Sequence, residues 1–225
     1  MATIEQVRDA GLDKFYTIPQ ISQKCLTNIG NIYKWDEWGL VIEPSAGNGS
    51  FFTIIPTINK IGIDISPEHK DIIKQDFFTY NPPNNIGKIL VVGNPPFGRI
   101  SSLAVKFFNH ASNWADVIAF IIPRTFRRPS IHNKLNTSFH LIFDEEIPTD
   151  PCSFTPRMMA KCCFQIWEKK DALRTIIKNE EPLNFVFIKK NENPDISFRR
   201  VGVNAGIIDV NIDNKSIQSH YFIKF

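Results

Sequence analysis

The sequence lacks several features that would restrict its class at once. No stretch approaches the roughly 20 consecutive apolar residues that span a bilayer, and residues 1–11 carry charges in place of a signal-peptide core. Its four cysteines form no Cys-x-x-Cys pair, and its five histidines have no ligand-like spacing. We therefore expect a soluble, intracellular, cytoplasmic protein with reduced thiols, no bound metal and no membrane partner.

Neither sign of charge is in large excess. Lys and Arg total 26 against 23 Asp and Glu, which gives a formal net charge of +3. This weakly basic balance permits a polyanionic partner such as nucleic acid without requiring one, and a homo-oligomer or hetero-oligomer stays open. A chain of 225 residues that is 43% hydrophobic is long and apolar enough for one domain with a substantial core and a small appendage.

The most informative stretch of the chain is residues 88–97. The apolar run at 89–92 predicts a fully buried strand, and the tetrad Asn94-Pro95-Pro96-Phe97 follows its end. Prolines have no amide hydrogen to donate, so the carbonyl groups around them are free to accept. Asn94 adds a side-chain carbonyl, and Phe97 adds a flat apolar face. Two acceptors beside an aromatic ring predict a pocket for a planar base with an exocyclic amino group.

A second Asn-Pro-Pro sequence occurs at Asn81-Pro82-Pro83-Asn84. It follows Thr79 and Tyr80 rather than an apolar run, and it ends in Asn rather than an aromatic residue. We interpret this copy as a plain loop, so the chain carries its own negative control for the tetrad at 94–97.

A glycine-rich loop follows the first predicted strand, residues 39–43. The loop, residues 44–51, places Gly47 and Gly49 among small residues, which allows a ligand to lie against bare backbone. It has neither the third glycine of the dinucleotide fingerprint nor the lysine of the P-loop. The spacing therefore indicates a nucleoside-binding loop of another kind.

Two carboxylates are predicted near the ends of the next strands. Asp64 ends the strand 60–64, where doubly wound folds place an acceptor for ribose hydroxyls; the alternative is an N-cap ahead of Ser66-Pro67-Glu68. Asp76 and Phe77 end a third short strand, 72–78, where the carboxylate could accept from an adenine amino group and the ring could pack on the base. The alternative for Asp76 is a turn residue.

Residues 17–33 have the spacing of a helix. Thr17 is the predicted N-cap, with Pro19 in the first turn and Gln20 three residues after the cap. Residues 13–17 would then lie at a helix N-terminus, where unpaired N–H groups attract anions. The alternative is a capped surface helix.

The pattern beyond the tetrad alternates between helix and strand and then changes. A helix is predicted near 101–111, a fifth strand over 116–123, and two more strands over 139–145 and 162–167. Beyond residue 171 the sequence predicts four short strands with polar breaks, at 184–188, 196–200, 207–210 and 221–223. We therefore predict an α/β domain over residues 1–170 and a small β-rich extension, a candidate substrate contact, over 171–225.

Several basic and aromatic residues are candidates for substrate contact. Arg99 follows the tetrad, and Arg124, Arg127 and Arg128 follow the fifth strand at the same predicted edge of the sheet. Cations beside a base pocket suit phosphate groups, although a run of charges is more often a solvated face. Phe154, in the loop between the last two strands, either touches substrate or caps the sheet.

Three motifs occur in a fixed order: residues 13–17, residues 43–51 and the tetrad 94–97. Together they resemble the motifs of S-adenosylmethionine-dependent adenine-N6 methyltransferases that act on nucleic acids. The resemblance covers roughly residues 13–168. It implies a Rossmann-like α/β sheet of seven strands with helices on both faces, and methyl transfer from S-adenosylmethionine to the amine of a flipped or unpaired adenine in DNA or RNA.

The resemblance also implies which residues bind the cofactor. Tyr16 and Thr17 would hold its methionine end, and Asp64 would take the ribose hydroxyls. Asp76 and Phe77 would bind its adenine. The residues implied to line its nucleoside and methionine are Glu43, Ser45, Ala46, Gly47 and Gly49.

The target base is assigned to the tetrad by the same resemblance. Asn94 and the carbonyl of Pro95 would accept from the target amine, beside Pro96, and Phe97 would stack on the target ring. The C-terminal extension is much shorter than the target-recognition domain of larger family members. We therefore expect its sequence preference to be lax or to depend on a partner.

Two other interpretations stay open. Methyltransferases of guanine N2 in RNA or of protein glutamine have a similar tetrad, although theirs more often ends in tyrosine. The other interpretation is a binding protein that keeps a methyltransferase fold without catalysis. The intact Gly47, Gly49, Asn94 and Phe97 count against this second interpretation.

Overall fold

The computed structural model describes residues 14–98, 101–178 and 180–225. The chain divides into two compact units, with the boundary between Ile177 and Lys178; the sequence placed it after residue 170. None of the described helices combines the length and the apolar composition needed to cross a membrane. Within the described ranges, no three His, Cys, Asp or Glu side chains are grouped closely enough to hold a metal ion.

The first unit is built around a seven-stranded sheet. The strands of this unit are β1 (Tyr16–Thr17), β2 (Trp38–Pro44), β3 (Lys60–Asp64), β4 (Ile73–Lys74), β5 (Lys88–Gly93), β6 (Val117–Pro123), β7 (Phe139–Ile147), β8 (Phe154–Thr155) and β9 (Cys162–Lys169). The large sheet has the order β4-β3-β2-β5-β6-β9-β7. Its first five strands pair in parallel, whereas β9 is antiparallel to both β6 and β7. The predicted Rossmann-like sheet is thereby confirmed.

Helices connect these strands. The α-helices are α1 (Pro19–Gly30), α2 (Ser102–Ala111) and the single turn α3 (Pro129–His132), and short 3-10 helices lie at Trp35–Glu37, Phe52–Ile54, Phe77–Thr79 and Arg124–Arg127. The prediction that Thr17 caps α1 is wrong, because Thr17 pairs with Phe154 in the small β1–β8 ladder. Ile18 occupies the N-cap position without a side-chain hydrogen bond, and Pro19 supplies a pre-organised first turn.

The third strand is shorter than its predicted range. Only Ile73–Lys74 pairs with β3, through Ile63 and Asp64. Asp76 then caps the 3-10 helix, because its Oδ1 atom accepts from the Phe78 amide at 2.9 Å. Local capping therefore ends the strand before Phe77.

Both faces of the large sheet are buried. Alternate residues of β5 belong to different apolar clusters, Val91 with α2 and Leu90 with α1. A strand covered on both faces needs apolar side chains at every position rather than at alternate ones, which explains the uninterrupted run at 89–92. The central strand is therefore held rigidly where the tetrad begins.

Residues 171–177 belong to the first unit because Arg174 ties them to it. The guanidinium donates to the carbonyls of Phe139, His132 and Leu135 and lies 5.4 Å from the ring of Trp167. The Arg174 amide also donates to the Thr137 carbonyl at 2.7 Å. Hydrogen bonds from a single arginine to several carbonyls leave no periodic signal in the sequence. The predicted boundary after residue 170 therefore lies a few residues before the boundary in the structure.

The second unit is a small antiparallel sheet. Its strands are β10 (Val186–Ile188), β11 (Ile196–Arg199), β12 (Ile208–Asp209) and β13 (His220–Lys224), in the order β10-β13-β11-β12. All four overlap the predicted short strands. The predicted β-rich character of this region is therefore confirmed.

Candidate functional site

The tetrad lies at the carboxyl end of β5, the middle strand of the large sheet. β5 pairs in parallel with β2 on one side and β6 on the other, so the ends of all three strands lie along one edge. Parallel sheets hold ligands outside the carboxyl ends of their strands. The second copy at 81–84 forms a loop with exposed asparagines, as predicted.

The Asn94 side chain is held in one orientation with its oxygen free. Its Nδ2 atom donates to the Phe15 carbonyl at 3.1 Å. Its Oδ1 atom is buried and has no hydrogen-bond partner among the described residues. A buried acceptor without a partner costs about 1–3 kcal/mol, so such an atom favours a donor supplied by a ligand.

Two cavities adjoin at this side chain. The larger, of about 200 Å³, is lined by Phe15, Asn94, Pro95, Pro96, Phe97, Gly98 and Met158. The smaller, of about 100 Å³, is lined by Lys14, Phe15, Tyr16, Ser45, Gly47, Asp64, Ile65, Ser66, Asn94 and Pro96. Phe15, Asn94 and Pro96 line both. The tetrad and the glycine-rich loop are therefore brought together at one site.

Tyr16 packs directly on the glycine-rich loop. A Cβ atom at position 47 would lie 2.7 Å from the Tyr16 ring, and Gly47 has a φ of +51°, so both the space and the backbone require glycine there. A third cavity of about 330 Å³ lies beside the same ring, and its lining includes Thr17 and Gly49. The buried Thr17 Oγ1 atom has no hydrogen-bond partner among the described residues.

Glu68 joins the segment at 14–16 to the glycine-rich loop. Its Oε1 atom accepts from the Tyr16 hydroxyl at 2.5 Å and from the Lys14 ammonium at 3.0 Å, and its amide donates to the Gly47 carbonyl at 2.9 Å. The Tyr16 hydrogen bond, with Lys14 nearby, lowers the pKa of Glu68, whereas burial and the Glu68 carboxylate raise the pKa of Tyr16. The carboxylate is therefore ionised and the phenol neutral at neutral pH.

Asp64 lines the smaller cavity and stabilises the backbone around it through two hydrogen bonds. Its Oδ2 atom accepts from the Gly47 amide at 2.8 Å, and its Oδ1 atom accepts from the Ser66 amide at 2.7 Å. The residues that follow form bends rather than a helix, so Asp64 is not the N-cap of a helix. Each oxygen has a second lone pair that can accept from a ligand hydroxyl.

Glu43 supports the loop from beneath. It is buried, and its Oε2 atom accepts from the Phe52 amide at 2.6 Å. Burial raises the pKa of Glu43 well above its ordinary value, although amide hydrogen bonds oppose this. Neither Glu43 nor Ala46 is part of the lining of the three cavities. Glu43 supports the loop backbone, and direct cofactor contact by these two residues stays a prediction.

The predicted role of the Phe77 ring is wrong. Its side chain is 3% exposed and stacks on Phe107 at 5.2 Å, inside the core cluster of α2. Both faces of a core ring are covered, so this ring has no free face for a cofactor base. Asp76 caps the turn, as the alternative interpretation held, and neither residue lines the cavities described above.

Arg124 and Arg127, two of the predicted phosphate contacts, form ion pairs at the surface, and phosphate contact by either residue stays a prediction. Arg127 binds Asp144 and Glu146 on β7, and Arg124 binds Glu146. The hydrogen bond to Asp144 raises the pKa of Arg127. Arg128 is exposed and forms no ion pair within the described ranges, and Arg99 lies outside the described residues.

Phe154 is also a core residue rather than a substrate contact. It is 4% exposed, pairs with Thr17 across the β1–β8 ladder and packs in the cluster of α1. Met158, four residues further along the same loop, lines the larger cavity in its place. No periodicity distinguishes the two positions, so the sequence could not choose between them.

The sequence interpretation also missed Ile65, a residue of the smaller cavity. Ile65 follows Asp64 directly and is 53% exposed, which is unusual for an isoleucine beside a buried strand. Its position after the carboxylate at the end of β3 was the available signal. An exposed apolar side chain beside a polar acceptor suits a ligand that has a flat base and a sugar.

Comparison with known proteins identifies the fold. No protein-family model matches the sequence, and no curated protein matches it significantly. A solved structure of a predicted RNA methyltransferase, PH1948 from Pyrococcus horikoshii, is similar at a TM-score of 0.51 and 16% identity, over 70% of this chain and 87% of that one. The 23S rRNA methyltransferase ErmE is similar at a TM-score of 0.50 and 16% identity, over 69% of this chain and 70% of that one. The first unit therefore has the Rossmann-like methyltransferase fold.

Proposed function

We propose that the protein is an S-adenosylmethionine-dependent methyltransferase that methylates the exocyclic amine of adenine in nucleic acid. The observation that carries the proposal is the buried, unpartnered Oδ1 atom of Asn94, a residue that lines both cavities. One cavity has an aromatic wall at Phe97, and the other has a carboxylate and a glycine-rich loop. A base and a nucleoside-type cofactor fit these two linings, and they would meet at Asn94.

The smaller cavity has the groups that S-adenosylmethionine requires. Asp64 offers acceptors to ribose hydroxyls, Ile65 offers apolar contact to a base, and Gly47 allows close approach to the loop. Thr17 and Gly49, beside Tyr16, would hold the methionine end. When bound, this cofactor supplies a methyl group on a sulfonium sulfur.

The larger cavity suits an adenine that has left its stack. Asn94 Oδ1 and the Pro95 carbonyl would accept hydrogen bonds from the two N–H groups of the amine, and Phe97 would stack on the ring. The amine nitrogen is a poor nucleophile because its lone pair is delocalised into the ring. Two acceptors outside the base plane favour a pyramidal nitrogen, so fixed alignment supplies the rate enhancement.

We propose nucleic acid as the target, and the adenine must be outside a base stack to enter the larger cavity. A paired adenine must be flipped at a cost of a few kcal/mol, so an unpaired adenine is the easier substrate. PH1948 and ErmE, two solved structures that share the fold, are described as RNA methyltransferases. Exposed Arg128 remains a cation available for phosphate.

Methyl transfer to four polymers tests the proposal directly. The chain is incubated with tritiated S-adenosylmethionine and single-stranded or double-stranded DNA or RNA, and the products are hydrolysed to nucleosides for mass spectrometry. We expect N6-methyladenine, with more label on single strands than on duplexes. N2-methylguanine or labelled protein would contradict the adenine assignment, and failure to bind S-adenosylhomocysteine by calorimetry would contradict catalysis altogether.

A further inference from the structure

The small C-terminal sheet has one face that is entirely apolar. The strand register places six side chains on this face, which we call the aromatic face: Phe187, Ile196, Phe198, Ile208, Tyr221 and Ile223. Three of them are widely exposed, namely Phe187 at 55%, Tyr221 at 44% and Ile208 at 61%. A contiguous exposed apolar face of this kind marks a binding surface more often than a plain solvated one.

Aromatic rings dominate the exposed part of this face. The rings of Phe187 and Tyr221 lie 5.2 Å apart, and Phe185 meets Phe187 edge-on at 5.5 Å. The Arg200 guanidinium lies 5.2 Å from the Tyr221 ring. Neighbouring rings with a guanidinium beside them offer flat surfaces and positive charge together, which is how proteins hold unpaired bases.

The cavity beside these rings is positively charged. It measures about 700 Å³ and is lined by Phe187, Ile188, Lys189, Lys190, Asn191, Ile217, His220, Tyr221 and Phe222, with no acidic residue. The Lys190 ammonium donates to the backbone carbonyls of Asp213 and Lys215, which hold it without neutralising it. Neither Lys189 nor Lys190 forms an ion pair within the described part of this unit.

Two nearby acidic residues form no ion pair with these lysines within the described residues. The Glu192 carboxylate accepts from the backbone amide of Lys189 at 2.7 Å, and Asp209 pairs with Lys215. The lysines beside the aromatic face therefore retain charge that a polyanion would complement. Apolar partner proteins need no such charge.

We propose that the aromatic face and its two lysines bind single-stranded nucleic acid. Bases stack on Phe187 and Tyr221, and backbone phosphates lie against Lys189 and Lys190. A duplex covers the faces of its bases, so a single strand is preferred. No residue of this surface lines the cavities of the proposed catalytic site, so the proposal can succeed or fail independently of methyl transfer.

Fluorescence anisotropy of the full chain with labelled 20-nucleotide single strands of DNA and of RNA tests this proposal. We expect the double variant Phe187→Ala, Tyr221→Ala to weaken binding at least about tenfold, because each stacked base contributes substantially to affinity. Tyr221→Phe keeps the ring and should bind within twofold of the wild type. Val203→Ala, which alters a fully exposed apolar residue outside the cavity, is the matched control.

The lysines are tested by the dependence of affinity on salt. The variant Lys189→Gln, Lys190→Gln should reduce the slope of log affinity against log salt by about 1.4, since each phosphate contact on a single strand contributes about 0.7. Lys178→Gln, an exposed lysine outside the cavity, should leave the slope unchanged. An unchanged slope in the double lysine variant would overturn the phosphate contacts.

Calorimetry separates this proposal from the proposed function. The alanine double variant should bind S-adenosylhomocysteine like the wild type, because it changes no residue that lines the proposed cofactor cavity. Equal affinity of the alanine variant and the wild type, or tighter binding of duplex than of single strand, would overturn the proposal. So would a concentration-dependent dimer, seen by sedimentation, that the same alanine variant abolishes, because a second copy would then occupy the face.

Discussion

The same three residues, Asn-Pro-Pro, occur twice in this chain and have different surroundings. The copy at 94–97 extends from the buried central strand β5, and its asparagine is held by the Phe15 carbonyl. The copy at 81–84 follows a 3-10 helix in an exposed loop. A short motif therefore has no chemistry of its own, since the strand before it and the chain segments packed against it decide whether its acceptors meet a ligand.

The largest effect on methyl transfer is expected from the removal of Asn94, with the removal of Asn81 as the control. Asn94→Ala should lower kcat at least about 100-fold, a loss typical of removing one group aligned with a transition state. Binding of S-adenosylhomocysteine should survive, because the cofactor cavity keeps its other residues. Asn81→Ala should change neither quantity. Methyl transfer and calorimetry measure the two effects, and equal activity of Asn94→Ala and Asn81→Ala would end the distinction between the copies.

The fourth residue of each copy gives a smaller effect. Phe97→Ala should lower kcat/KM about 10-fold to 100-fold, because stacking of one base on an aromatic ring is worth about 1–3 kcal/mol. Phe97→Tyr keeps the ring and should retain most activity. Asn84→Ala is the positional control and should behave like the wild type. If Phe97→Ala loses cofactor binding instead, the ring belongs to the other cavity.

Glu68 binds the segment at 14–16, which contacts the first copy through Phe15, and we expect it to give a pH-dependent effect on stability. The pKa of Glu68 is lowered in the folded state, mainly by the Tyr16 hydroxyl, so its charge stabilises the fold above its ordinary pKa of 4.5, and this contribution disappears as the pH falls through the lowered value. Glu68→Gln should therefore be less stable than the wild type at pH 7, and the difference should shrink below pH 4.5. We expect a few tenths of a kcal/mol, because 44% of the side chain is exposed to screening water.

Chemical denaturation over a pH series measures this difference. Asp36→Asn, a second exposed carboxylate that forms no ion pair within the described residues, provides the control for a general loss of negative charge. A difference between Glu68→Gln and the wild type that grows as the pH falls would contradict the sign of the linkage.

The smallest expected effect is no effect at all. Asn84→Phe completes a second Asn-Pro-Pro-Phe tetrad, and placed in the Asn94→Ala background it should restore no methyl transfer. The loop at 81–84 lacks both the buried strand and the Phe15 carbonyl that hold Asn94. Recovered activity in this double variant would show that the four residues suffice without their surroundings.

Most of the fold could be predicted because its signals are local. Apolar runs and turn residues located the seven strands of the large sheet and the four strands of the small one, and the predicted Rossmann-like sheet of seven strands is confirmed. The errors lie where a non-local contact competes with a local pattern. Thr17 is a residue type that often caps helices, but here it pairs with Phe154 in a β-ladder. Arg174 binds an irregular segment of backbone to the first unit.

The candidate site divides in the same way. Residues fixed by backbone geometry, such as Asn94 after β5 and Asp64 at the end of β3, stand where the sequence placed them. Side chains whose role depends on exposure were misjudged, because composition alone does not say which of Phe77, Phe154 and Met158 faces a cavity. The arginines at 124 and 127 needed knowledge of the acidic residues on β7, which pair with them.

The sequence by itself determined where the strands run and which residues stand at their ends, because strand periodicity and proline chemistry act over a few neighbouring residues. Only the tertiary structure decided which side chains keep a free polar atom or an open face. That outcome depends on hydrogen bonds and packing between distant segments. For example, the Phe15 carbonyl accepts a hydrogen bond from the Asn94 side-chain amide, and the Oδ1 atom of Asn94 is left without a partner among the described residues.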